Sequence, residues 1–177
     1  AENCTRRGAE VTLVSGPVQI APPLCVRVIP VVTAADMAAA VKECYQEQDI
    51  IIKTAAVADY RPDHPADERV KKKDDKSVME LERTEDILAY LGAHRKDGQF
   101  ICGFSMETEN MLENSRAKLA KKNVDMIVAN NLKVAGAGFG TDTNVVTIIT
   151  KDDNRQLERM SKAAVAASIV DEILKKM

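Results

Sequence analysis

Metal-ligand patterns are missing from this 177-residue chain. Cys4, Cys25, Cys44 and Cys102 stand alone at wide spacings, no CxxC pair occurs, and His64 and His94 are the only imidazoles. Clustered thiolates and imidazoles are what hold a transition metal, so no metal ligand is assigned. Cys25 and Cys102 fall in apolar, strand-like stretches and read as buried, reduced thiols of a cytoplasmic protein. No apolar run approaches the ~18 residues of a membrane span, and no signal peptide precedes the first helix-like stretch, so no membrane partner is expected. Charge of one sign is lacking too. With 25 basic and 27 acidic residues and a net charge of −2, the chain offers no overall positive field to a nucleic acid backbone. There is no GxSxG elbow, Ser105 and the two histidines form no nucleophile–base arrangement, and no glycine-rich phosphate loop occurs.

What is present is an alternation of strand and helix signals over a chain that is 45% hydrophobic, long enough for one sizeable core. Glu10 to Ser15 and Cys25 to Val32 read as strands, Ala34 to Glu47 as a helix, and Ile50 to Ala55 as a strand buried on both faces. After a polar stretch from Asp63 to Ser77, Val78 to Glu82 alternates like a half-exposed strand, and Thr84 is placed to cap a helix running to His94. Phe100 to Phe104 is a strand, Asn110 to Lys122 a helix, and Val124 to Ala129 a strand. Asn144 to Thr150 and Asp152 to Glu158 suggest a hairpin. A closing helix follows, with Ala163, Ala166, Ala167, Val170, Ile173 and Leu174 on its packing face. The expectation is a single α/β domain over residues 1–177: a Rossmann-like, open, mostly parallel sheet with helices on both faces, plus a C-terminal β-hairpin and helix. Ala1 to Gly8 reads as the end of a helix with Gly8 as its cap, and no strand stands before it. The domain is therefore expected to be N-terminally incomplete, lacking its first strand.

Several residues gather where such a sheet binds ligands, at the carboxyl ends of its strands. Asp59 follows a central strand and is either a ligand carboxylate or a turn-capping aspartate. Ala55, Ala56 and Ala58 permit close ligand approach or close helix packing. The basic run Arg69 to Lys73 is either a solvated loop or a cationic lid over a polyphosphate. Lys118 and Lys122, four residues apart, share a helix face and could hold an anion between them, or could be an exposed helix end near the dipole's negative pole. Phe104, in a chain with three phenylalanines and three tyrosines, is a core ring or a stacking surface for a base.

With these residues assembled, the chain resembles the phosphopantothenoylcysteine synthetase family, the synthetase domain of the bifunctional coenzyme A biosynthesis protein. The resemblance is carried by Val11 to Pro17, by Ala55 to Pro62 (AAVADYRP), by Arg69 to Lys72 and by Glu85-Asp86-Ile87-Leu88. It continues through Gly103-Phe104 with Glu107-Thr108, Arg116 with Lys118 and Lys122, Ala129-Asn130, and Gly138-Phe139 with Asp142 and Asn144. It implies a phosphopantothenate–cysteine ligase in which CTP, with Mg²⁺, activates 4′-phosphopantothenate to an acyl-cytidylate that cysteine attacks. It implies a catalytic and nucleotide-binding Arg69, where relatives carry lysine. Further nucleotide-binding positions are Thr54, Ala55, Asp59, Glu85, Asp86, Ile87, Leu88, Phe104, Lys118 and Lys122, and Asn130 is a substrate-binding position. A homodimer, with the Asn144 to Glu158 hairpin in its contact, and fusion to a flavin-dependent decarboxylase are also implied. Family members carry a glycine- and serine-rich turn that this chain lacks, so weak nucleotide binding and little turnover are expected of it. The competing expectation is a noncatalytic Rossmann-like module for dinucleotide binding or assembly.

Overall fold

The computed structural model describes residues 1–64, 68, 78–107, 110–131 and 141–177. In chain order the elements are α1 (Glu2–Thr5), β1 (Val11–Ser15), β2 (Val26–Pro30), α2 (Ala34–Cys44) extended by a 3-10 turn at Tyr45–Glu47, β3 (Ile50–Lys53), β4 (Tyr60–Pro62) and β5 (Leu81–Arg83). They continue with α3 (Ile87–Ala93), β6 (Phe100–Glu107), α4 (Met111–Lys121), β7 (Met126–Asn131), β8 (Thr143–Asn144), β9 (Val146–Thr150), β10 (Asn154–Gln156), β11 (Met160–Ser161) and α5 (Lys162–Lys176).

The main sheet has the order β10-β9-β7-β6-β3. Its β3, β6 and β7 run parallel, and β9 and β10 return antiparallel as the expected hairpin. Successive side chains of β6 point to opposite faces, as strand geometry requires. Ile101 enters a core shared with Ala38 of α2, Leu88 and Leu91 of α3 and Leu119 of α4. Phe100 and Cys102 enter the other core, with Val165, Ile169 and Ile173 of α5. Helices thus cover both faces, and the α/β, Rossmann-like expectation holds. Among the described residues no helix is long and apolar enough to cross a membrane.

At the start, α1 ends as Gly8 predicts. Gly8 takes φ +85°, the Ala9 N–H reaches the Cys4 carbonyl at 3.1 Å and the Gly8 N–H the Thr5 carbonyl at 2.9 Å. This paired closure suits a residue without a Cβ. α1 lies along α5, with Arg7 ion-paired to Asp171 at 2.5 Å.

Six local expectations are corrected. β3 is half-buried along its length, not buried on both faces, because it is an edge of the main sheet. β1 and β2 pair only with each other among the described residues, in a separate parallel ribbon. Thr84 does not cap α3: its hydroxyl donates to the Ala58 carbonyl, and Asp86 caps instead, accepting from the Ala89 N–H at 3.0 Å. The strand expected at Val78 to Glu82 lies later, at Leu81–Arg83, set by antiparallel pairing with Tyr60–Pro62. On α5, Ala163 and Leu174 are exposed, and Val165 and Ile169 pack beside Val170 and Ile173. Cys102 is fully buried, which pushes its thiol far above the ordinary range. Cys25 is exposed, because it sits in the turn before β2 at φ +59°.

Candidate functional site

β3 and the start of α3 deliver a small charged cluster to the carboxyl rim of the sheet. Lys53, the last residue of β3, is partly buried and donates from Nζ to the Ala55 carbonyl at 2.9 Å. Burial, reinforced by the neighbouring Lys122 ammonium, holds its amine below the usual lysine value, against the opposing pull of Asp86 and Asp59. Asp86 caps α3, and Lys122, just past the end of α4, reaches it with Nζ 3.1 Å from Oδ2. Burial pushes the Asp86 carboxyl up, but the Ala89 N–H, Lys122 and Lys53 outweigh it and hold the carboxyl below its usual range. Two ammonium groups therefore act on one carboxylate, with the exposed Asp59 close enough to act on Lys53. A phosphate entering between the two amines would be stabilised by both.

The other predicted site residues divide. Thr54 and Ala55 adjoin Lys53 and line a cavity of about 160 Å³ with Thr12, Met37 and Leu91. Lys118 does not share an anion with Lys122: its ammonium is 2.5 Å from Glu107, whose carboxylate is largely buried. The like-charge repulsion expected at their spacing is relieved by two separate carboxylates. Glu85 is tied to α2 through Lys42, at 2.6 Å. Ile87 and Leu88 are core residues, 4% and 3% exposed. Phe104 packs on the α5 side of the sheet, opposite the core that α3 and α4 cover, so it stands on the other face of the sheet from α4. Asn130 accepts from the Asn144 side chain at 2.9 Å. Arg69 and the rest of the basic run from Val70 to Lys73 lie outside the described residues, as do Thr108, Gly138 and Phe139. Cavities of about 450, 160 and 480 Å³ are lined by none of Asp59, Phe104, Lys118 and Lys122.

Lys53 is the residue that sequence reasoning missed. Its signal was a single charge closing the apolar run Ile50-Ile51-Ile52, a position that forces an ammonium to the end of a strand and half out of water.

A family model described as the DNA/pantothenate metabolism flavoprotein C-terminal domain matches residues 1–177. The chain is 49% identical to the Coenzyme A biosynthesis bifunctional protein CoaBC of Bacillus subtilis, over 98% of its own length and 43% of the relative's. It is 45% identical to a Cysteine/Cysteine sulfinic acid decarboxylase from an unknown prokaryotic organism, over 98% of the chain and 49% of that protein. The crystal structure of the C-terminal domain of a CoaBC protein superposes with a TM-score of 0.83 at 44% identity, covering 99% of this chain and 80% of that one. The chain spans less than half the length of these curated relatives.

The resemblance to the bifunctional coenzyme A biosynthesis protein is thus upheld. The activity drawn from it is corrected. Against a CTP-dependent phosphopantothenate–cysteine ligase, with its Mg²⁺ and CTP, stand the flavoprotein description of the family and the decarboxylase name of a relative 45% identical to this chain. The family model and the solved CoaBC structure that match are both C-terminal domains: the chain belongs to the DNA/pantothenate metabolism flavoprotein C-terminal domain family.

Proposed function

We propose that residues 1–177 form one ligand-binding domain of a coenzyme A biosynthesis protein, and that Lys53 and Lys122 receive the phosphate of a phosphorylated pantothenate derivative. The observation that supports this most is the half-buried Lys53. Its ammonium is disfavoured by burial and by Lys122, and a phosphate anion between the two amines would lower that cost. Thr54 and Ala55 border the same edge, and Asp59 would fix the orientation of a hydroxyl or amide in the ligand's arm.

The flavin that the family's description implies does not fit the described residues. Small-molecule sites usually enclose ~300 Å³ or more, and the cavity beside Lys53 is about 160 Å³. The cavity of about 450 Å³ lies at the amino ends of β1 and β3, where Glu10, Glu47 and Asp49 face a single Arg27, an arrangement that repels a flavin phosphate. In the cavity of about 480 Å³, Arg95 is already bound to Asp125, and the remaining cations Lys151 and Lys176 come from the β9–β10 turn and the end of α5 beside Asp152.

Calorimetry with 4′-phosphopantothenate and with pantothenate tests the proposal. The phosphorylated compound should bind roughly tenfold or more tightly, and Lys53→Met should erase that difference. Equal affinity for the two compounds, or a Lys53→Met chain that keeps the preference, overturns it. A flavin fluorescence titration of the same chain should show no stoichiometric FMN binding.

A further inference from the structure

We infer that Asn144 is a positioning residue: it holds the side-chain amide of Asn130 so that the carboxyl end of β7 presents N–H donors to the ligand, and the group received there is the carboxylate of the ligand's arm. The inference rests on the reading that this rim binds a phosphorylated pantothenate derivative.

Strand register brings the two asparagines together. Asn130 pairs with Val146 across the antiparallel β7–β9 ladder. Val128 and Val146 pack in the core on the α5 side, and alternation puts Asn130 and Asn144 on that same face as diagonal neighbours. There the Asn144 Nδ2 donates to the Asn130 Oδ1 at 2.9 Å. The backbone settles which end of each amide faces the other. The Val145 N–H donates to the Asn144 Oδ1 at 2.9 Å, so the oxygen of Asn144 is turned to its own backbone and its nitrogen to Asn130. Val145 and Val146 are 5% and 0% exposed, and Asn144 is also paired with Met160 of β11. The donor that sets the whole relay is therefore fixed by the fold.

The relay leaves one end of the Asn130 amide committed and the other open. Its Oδ1 is taken by Asn144, and its Nδ2 has no acceptor among the described residues. Asn130 is half-buried, so these N–H groups are not sealed in the core. Met106 of β6, in register with Asn130 and 42% exposed, gives them an apolar flank. Donors without an acceptor beside them match a group that accepts and does not donate. A carboxylate is such a group, whereas a hydroxyl or an amide also donates. In a pantothenate arm the carboxylate therefore suits Asn130, and the hydroxyl and amide suit the Asp59 carboxylate. An N–H bond to an ionised oxygen is also stronger than one to a neutral oxygen.

The test is calorimetry of the 177-residue chain with pantothenate and with pantothenol, in which an alcohol replaces the carboxylate. Neither compound carries phosphate, so the result does not depend on Lys53 or Lys122, and a failed phosphate preference would leave it readable. The parent chain should bind pantothenate roughly tenfold more tightly than pantothenol. Asn144→Ala adds no charge and frees the Asn130 amide to turn either way, so the preference should fall roughly threefold or more. Asn144→Asp keeps an oxygen for the Val145 N–H and turns a second oxygen on Asn130, whose Nδ2 then rotates inward and leaves its Oδ1 facing the ligand; the preference should be lost or reversed. A parent chain that binds the two compounds equally overturns the inference, as does either variant keeping the full preference. Equal weakening of both compounds, with their ratio intact, would make the asparagine pair a structural tie between β7 and β8 and overturn it as well.

Discussion

Lys122 bridges the end of α4 to the start of α3 by holding Asp86, Nζ 3.1 Å from Oδ2, while Asp86 simultaneously caps α3. One carboxylate thus ties two helices over the rim. A carboxyl that titrates lower in the folded chain than in the unfolded one adds stability that is complete above the unfolded value, ~3.9, and is lost as pH falls through the lower folded value. Asp86 is held low in this sense. Asp86→Asn, which keeps a cap but no charge, should therefore flatten the loss of stability between neutral pH and pH ~3. Because the Asp86 side chain is 51% exposed, the ion pair contributes only about 0.5 kcal/mol. Urea unfolding of both chains across that range is the measurement, and parallel curves would show that Asp86 plays no part.

Lys53 gives the opposite experiment. Its ammonium is disfavoured in the fold, so the unfolded chain binds the extra proton, and stability should rise as pH climbs from the folded value toward ~10.4, the unfolded one. Lys53→Met should raise the melting temperature slightly at neutral pH, by less than about 1 kcal/mol of stability, and remove that rise. The gain in stability should accompany lost affinity for a phosphorylated ligand, a trade-off expected of residues held for binding. Thermal melts at pH 7 and pH 10 decide it.

Periodicity made the sheet legible. Parallel β3, β6 and β7 each announce themselves as short apolar runs, and the polar turn at Lys151 to Asp153 separates the two strands of the hairpin. The site was less legible, for reasons that lie in tertiary structure. Thr84 and Asp86 are equally good caps in sequence; the choice went to Asp86 because Thr84 is drawn to the Ala58 carbonyl across the β4–β5 hairpin. Phe104 belongs to the even-numbered face of β6, with Phe100 and Cys102, and alternation alone could have placed it opposite Ile101. No sequence pattern gives which carboxylate Lys118 and Lys122 will find: Glu107 comes from β6 and Asp86 from before α3.

Gly92 fixes how closely α3 approaches the turn after α4. A Cβ there would overlap the Lys122 carbonyl oxygen and stand 3.0 Å from the Asn123 carbonyl oxygen, both of them backbone atoms that cannot rotate away. The Asn123 side chain donates to the Gly92 carbonyl at 2.8 Å, clamping the two segments. Gly92→Ala should cost about 3 kcal/mol and should also weaken ligand binding, because Lys122 must move with its backbone. By contrast, Gly103→Ala meets mainly the flexible end of Leu88 and should cost about 1–2 kcal/mol. Chemical denaturation of the two variants, read side by side, checks the ranking.

The hydroxyls of Ser105 on β6 and Ser115 on α4 meet at 3.1 Å inside the core, 6% and 0% exposed. Each is the other's side-chain partner at the buried contact of β6 with α4. Removing one hydroxyl strands the other away from water, which costs about 1–2 kcal/mol. Removing both leaves no polar group to desolvate, and the pair becomes an alanine contact of nearly the same shape. Ser105→Ala and Ser115→Ala should therefore each destabilise the chain, and the double variant should be less destabilised than their sum by about 1 kcal/mol or more. A cycle of denaturant unfolding free energies measures this coupling. A double variant at the simple sum would mean that the two hydroxyls are satisfied independently, and that the helix–strand packing under the rim does not depend on their pairing.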